Sequence, residues 1–324
     1  MKKIILCTIF STSLLFSYEP IISGSFENKK YILENDTFNE FETNIKIQKK
    51  INTKTNMGLS IRGINNYEYL NSNNSKGPSI TELYIEHIEK FFDRDIDIKI
   101  GKQSIDTDFT NKENVYGKGI TLKTSNSKKE GNINIGLYKV NNSLNEEDKD
   151  FTLGFLSGEI DLNEMLIKNS ILFSNKLPTT YTTKIEKNID DIKLVLRTSY
   201  QDNNNKNITI KGSKQLKDLH NINVTSAISY GSLDTNTDFF DNSTELGFGV
   251  FQKDVSNLKG DKYLVSIGKD FGDLEININD IYVRENSKHY IVIEGETKIN
   301  DLLIAKSFYN LTNKSILLNF KYDF

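Results

Sequence analysis

From Ile21 to Phe324 the chain repeats one pattern. Runs of about ten residues alternate apolar and polar side chains, and each run ends in a short polar stretch. Phe41, Thr43, Ile45 and Ile47 alternate with Glu42, Asn44, Lys46 and Gln48. Ile96, Ile98 and Ile100 alternate with Asp97, Lys99 and Gly101; Ile192, Leu194 and Leu196 with Lys193, Val195 and Arg197. Successive side chains of a β-strand point to opposite faces, so each run reads as a strand with one greasy and one polar face. The best helical candidate, residues 163–170, is short and gives way to an apolar run. No linker or shift of composition marks a boundary, so the pattern predicts one all-β unit.

The chain ends inside this pattern. Ile316, Leu318, Phe320, Tyr322 and Phe324 share one phase; Asn319, Lys321 and Asp323 share the other, where Leu317 is the apolar exception. A soluble domain seldom stops on an aromatic, because termini fray in water. At the other end, Lys2 and Lys3 precede an apolar run from Ile4 to Phe16, followed by Ser17. That is a charged region, an apolar region and a cleavage site, so residues 1–17 read as a signal peptide and 18–324 as the mature chain. The run is short for a membrane-crossing helix, which needs ~20 residues. No later segment approaches that length. Residence in a membrane would therefore require a closed barrel, since open sheet edges are not tolerated in lipid.

Composition narrows the function. Mean hydropathy is −0.47, which suits a barrel because only every second strand residue meets lipid. Lys and Arg number 41 against 44 Asp and Glu, a formal charge of −3. Nucleic-acid binding wants a basic stripe, and none is present. Cys7, the one cysteine, lies in the signal peptide, so the mature chain has no disulfide, Cys-based metal site or Cys nucleophile. His87, His220 and His289 are too scattered for a zinc site, and no Gly-x-Ser-x-Gly motif accompanies them. The Asp-rich residues 234–241 match no EF-hand loop. Neither an enzyme nor a cofactor is expected.

A barrel with both ends on one side of a membrane has an even number of strands. The weakest candidate strand, residues 244–253, lies within residues 232–260. Taking that stretch as one long external loop leaves about 18 strands, with about 16 as the runner-up. Tight connections fall at residues 93–95, 161–163 and 300–301. Longer ones fall at residues 71–78, 104–118, 141–150 and 232–260, on the opposite side.

A barrel this wide encloses water. Its lining would include Arg62, Arg197 and Arg284, all on the polar phase, with Glu82, Glu86 and Lys99. A turn centred near Asn74 sets Arg62 facing Glu86, either as a field across the lumen or, the plainer reading, as an ion pair bracing the wall. The constriction is expected in the third external connection, residues 104–118. There Asp106, Asp108 and Glu113 would face Lys112 and Lys118 across the passage, while Ile105, Phe109, Val115 and Tyr116 pack on the inner wall. From length and composition alone, a solvated surface loop fits equally well.

Gly101-Lys102-Gln103-Ser104-Ile105-Asp106-Thr107 resembles the lead-in to the inward-folded third loop of the campylobacter-type major outer-membrane porins and their Opr-type relatives. Those proteins carry Gly-Arg-Gln and then Asp-Thr-Pro; here Lys102 replaces the Arg and Asp108 the Pro. Residues 260–264 and 269–271 look like late strands of that family. The terminal Phe324, with Phe320 and Tyr322, resembles the sorting strand that barrel assembly machinery recognises. The resemblance implies a protein of outer-membrane lipid, often a homotrimer, through which ions and small hydrophilic solutes diffuse passively. Three acids outnumber two lysines in the third connection, so a mild cation preference is expected. Two rivals remain: a surface binding or adhesion barrel with an occluded lumen, whose working surface is residues 232–260, and a soluble periplasmic β-rich protein.

Overall fold

The computed structural model describes residues 19–32, 37–67, 76–92, 94–105, 116–126, 131–140, 151–162, 164–216, 222–232 and 260–324. Residues 1–17, expected as a signal peptide, and residues 244–253 lie outside the described residues. Every described element is a β-strand: β1 (Ile21–Ile32), β2 (Thr37–Asn52), β3 (Thr55–Tyr67), β4 (Lys76–Phe91), β5 (Arg94–Ser104), β6 (Tyr116–Asn126), β7 (Asn132–Val140), β8 (Phe151–Leu162) and β9 (Met165–Ser174). The second half comprises β10 (Thr180–Ile189), β11 (Ile192–Gln201), β12 (Lys206–Leu216), β13 (Ile222–Ser232), β14 (Lys262–Asp270), β15 (Leu274–Val283), β16 (Lys288–Lys298), β17 (Leu303–Asn310) and β18 (Ser315–Asp323).

Each strand pairs antiparallel with its neighbours in sequence, and β1 pairs with β18, closing an 18-stranded ring. β13 pairs directly with β14, so the stretch between them adds no strand to the ring. The one helical candidate, residues 163–170, belongs from Met165 onward to strand β9, hydrogen-bonded on both sides to β8 and β10. Ladder pairing outweighs local propensity there.

Closure is local chemistry. The Gly24 N–H donates to the Phe324 carbonyl at 2.8 Å, and the Phe324 N–H returns a bond to Gly24 at 2.9 Å. A Cβ on Gly24 would lie 2.6 Å from the Phe324 ring, so the terminal aromatic lies over a position that only glycine leaves open. The start of β1 and the end of β18 therefore share one end of the barrel, the terminal end. β3, β5, β7 and β13 end at the opposite, far end.

The outer face is apolar. Ile100, Ile120, Leu137, Leu156, Ile210 and Ile267 are exposed on it. Aromatics bound this band at both ends: Tyr181, Tyr200, Tyr230, Tyr263 and Tyr282 toward the far end, and Phe91, Phe271, Phe320 and Tyr322 toward the terminal end. Aromatic belts of this kind mark the two interfaces of a membrane-spanning barrel. The inner face is polar through its middle and apolar at parts of the far end. Tyr138, Val140, Phe151, Leu153, Phe155 and Leu172 form one buried cluster, and Leu264, Ile281, Val283 and Tyr290 belong to another.

Candidate functional site

Strand pairing decides which side chains face inward. Across the seam, Glu27 of β1 lies opposite Glu42 of β2 and Lys321 of β18, and Lys29 opposite Glu40. Lys29 Nζ sits 3.3 Å from Glu27, 3.3 Å from Glu40 and 3.7 Å from Glu42. Arg62 pairs with Glu42: Nη2 donates to one carboxylate oxygen at 2.7 Å, and Nε lies 2.6 Å from the other as a close ion pair. Asn319 of β18 donates to Glu27 at 2.6 Å, so one polar network ties β18, β1, β2 and β3 together.

Arg62 therefore braces the wall, but with a different partner from the expected Glu86. The β3–β4 register sets Arg62 opposite Ser79, and it shifts on β3 on either side of Ile61 and Arg62. Glu86 consequently falls further along β4, opposite Asn56 and Lys99. Glu82 accepts from the Ser60 hydroxyl at 2.8 Å and from the Ser104 backbone N–H at 3.1 Å, anchoring the base of the third connection. Lys99 lies 3.7 Å over the Tyr84 ring, a cation–π contact. Tyr84 covers Gly58, where a side chain would collide with its ring.

Across the ring from this seam, β9, β10 and β11 present a row of cations. Lys168 pairs with Lys184, and Lys184 with Arg197, all on the inward phase. Arg197 is 3% exposed. Glu186 bridges Lys184 at 2.7 Å and Lys193 at 2.8 Å. Acids Glu27, Glu40, Glu42, Glu82 and Glu86 thus gather on β1, β2 and β4 with Lys29 and Arg62 paired among them, while β9–β11 carry Lys168, Lys184, Lys193 and Arg197 around Glu186. The Lys168–Lys184–Arg197 row escaped the sequence reading except for Arg197. Its signal, the inward phase of two further strands, was present, but only pairing register aligns the three.

The third connection divides. Asp106, Asp108, Lys112 and Glu113 lie outside the described residues. Ile105 at its start is 3% exposed and packs in the inward cluster with Tyr138 and Val140. Gln103 folds down the inner wall, donating to the carbonyls of Lys99 and Gly119 and accepting from Thr121. Lys118 departs from expectation. It shares the phase of Ile120 and Leu122, opposite Lys102 and Lys139, so it points out of the barrel rather than across the passage. The cause is strict alternation: Gly117 and Gly119 take the inward positions on either side of it. Arg284 is also displaced. It lies in the β15–β16 turn, 70% exposed and 3.4 Å from Asp261, at the far rim rather than on the wall.

Among the described residues no three His, Cys, Asp or Glu side chains converge as a metal site would require. His289 pairs with Asp280 at 3.0 Å on the outer face, and His87 with Thr55 at 2.9 Å.

These features define a class: a closed antiparallel barrel with a lipid-type exterior and a charged interior. Solved structures share the architecture. Pseudomonas aeruginosa OpdQ matches with a TM-score of 0.68 and 12% identity, over 96% of this chain and 99% of that one. A double variant of OccD1 (OprD) gives 0.64 and 11%, over 94% and 95%. A mutant of the Rhodopseudomonas blastica porin gives 0.54 and 8%, over 94% and 100%. At these identities the likeness is one of fold, and it is to OprD-type barrels. No protein-family model and no curated protein matches the chain.

Proposed function

We propose that the chain is an outer-membrane porin, a passive channel for ions and small hydrophilic solutes, exported by its first 17 residues. One observation carries the reading: the ring of 18 strands is apolar and aromatic-belted outside and charged within. A barrel of this strand number leaves an aqueous passage. Water in the lumen removes most of the dielectric barrier to a charged solute, and lining charges bias which ion enters.

The mild cation preference is assigned to Asp106, Asp108 and Glu113. Two contacts favour an inward course for their connection. Ile105 is buried inside the wall, and Glu82 holds the Ser104 amide. The finer likeness to the campylobacter-type porins would bring with it a trimeric assembly, which cross-linking would test. Reconstitution in a planar bilayer under a salt gradient tests the function. Stable conductance steps with a cation-signed reversal potential are expected. Replacing Asp106 and Asp108 by Asn should lower that potential; an unchanged value removes the third connection from the mechanism.

A second reading has its own support. Leu153, Leu172, Val283 and Leu317 point inward yet are 0% exposed, so water does not line the wall at those positions. A silent bilayer containing folded protein would establish an occluded barrel that works through its external connections.

A further inference from the structure

The outward phases of β5, β6 and β7 end alike at the far end. They run Ile96, Ile98, Ile100, Lys102 on β5; Leu122, Ile120, Lys118 on β6; and Ile133, Ile135, Leu137, Lys139 on β7. Lys102 lies directly opposite Lys118, and Lys118 directly opposite Lys139. The row beneath, Ile100, Ile120 and Leu137, is in the same registration and is 55%, 37% and 50% exposed. On β10, β11, β13, β14 and β15 the far-end belt is tyrosine. On these three strands the level above the apolar band is lysine, with Tyr116 two residues beyond Lys118 at the start of β6.

Residues directly opposite on neighbouring strands hold their Cβ atoms about 4.5–5.5 Å apart, so the three stems rise within about 10 Å of one another. Like charges in that arrangement destabilise a sheet, and an anion lodged among them reverses the sign. Lysine stems lie along apolar surface and carry the ammonium to its edge. Lys118 and Lys139 are exposed. Lys102 is half-buried, and its ammonium donates to the Ile80 carbonyl at the edge of the same patch.

We propose that Lys102, Lys118 and Lys139 form a docking row for the phosphate groups of membrane lipid in the leaflet at the far end. The inference rests on the membrane-barrel reading above. The row is continuous with an exposed apolar band directly beneath it, so a ligand that fills both carries phosphate and acyl chains in one molecule. A free phosphate satisfies only the lysines.

The test titrates the refolded mature protein in detergent with fluorescent lipid A, a bisphosphorylated acylated glucosamine disaccharide. Its dephosphorylated form and inorganic phosphate serve as competitors. Wild type should prefer the phosphorylated lipid. Replacing Lys102, Lys118 and Lys139 together by Gln should weaken binding by about tenfold or more. Replacement by Arg should preserve it. Replacing Lys187, Lys214 and Lys269 by Gln, outward lysines toward the terminal end, should leave it unchanged. Heat-modifiable gel migration confirms that each variant is folded; if the triple Gln variant is not, Lys118→Gln alone should show a smaller loss. Equal binding of the dephosphorylated lipid, equal loss in the terminal-end variant, or competition by inorganic phosphate at the lipid's own concentration overturns the proposal. Conductance of the same samples separates the two readings. A silent bilayer with phosphate-selective binding sinks only the channel, and conductance without phosphate selectivity sinks only the row.

Discussion

Single side chains hold this barrel shut. Gly24 is the clearest case, because an added Cβ would meet both the Asn44 carbonyl oxygen at 2.5 Å and the Phe324 ring. Gly24→Val should destabilise the seam by about 1–3 kcal/mol, the usual range for overpacking. Urea titration of the heat-modifiable band would show an earlier midpoint; an unchanged midpoint would mean that the ring swings clear. Arg62 and Glu42, at 14% and 13% side-chain exposure, make a different test. Arg62→Ala should cost about 1–3 kcal/mol, the range for hydrogen bonds to charged groups. Adding Glu42→Gln should cost less than the sum, since the orphaned carboxylate is then gone. Additive losses in that double-mutant cycle would show that the pair is not coupled.

The row on β9–β11 is an effect of elements rather than of residues. Lys168, Lys184 and Arg197 fall on one level only because three strands pair in that register. Replacing all three by Gln should move the reversal potential toward cations, because the lumen loses positive charge while the acids of β1, β2 and β4 stay. An unchanged potential would mean that the row does not reach the ion path. Element scale is also where sequence reasoning reached its limit. Period two identified inward and outward faces on β2, β5, β11 and β18. It placed Arg62 opposite the wrong residue, because the turn of a hairpin lies outside the alternating part. It set Lys118 across the passage, because a loop reading was extended over residues that belong to β6.

Closure is a property of the whole molecule. The ring leaves no open edge, so every strand meets two partners. Deleting Phe324 should remove both terminal backbone bonds to Gly24 and leave the β1–β18 ladder without its last contact. The yield of heat-modifiable barrel after refolding into detergent should fall, while the protein that does fold should conduct normally. Equal yield would confine any role of Phe324 to recognition by the assembly machinery.

The alternation determined the all-β class, the two-faced strands and the even count, because a strand's side-chain period is a local property of the backbone. The terminal aromatics and the polar connections were equally legible, since each depends on a few neighbouring residues. Contacts between strands were not. That Arg62 holds Glu42, that Lys168, Lys184 and Arg197 align, that Lys118 stands with Lys102 and Lys139 outside, and that Phe324 covers Gly24 all depend on register. Register is set by where each connection turns and by closure of the full ring. A displacement of one residue in any ladder would carry its side chains to the other face, so only the closed tertiary structure decides them.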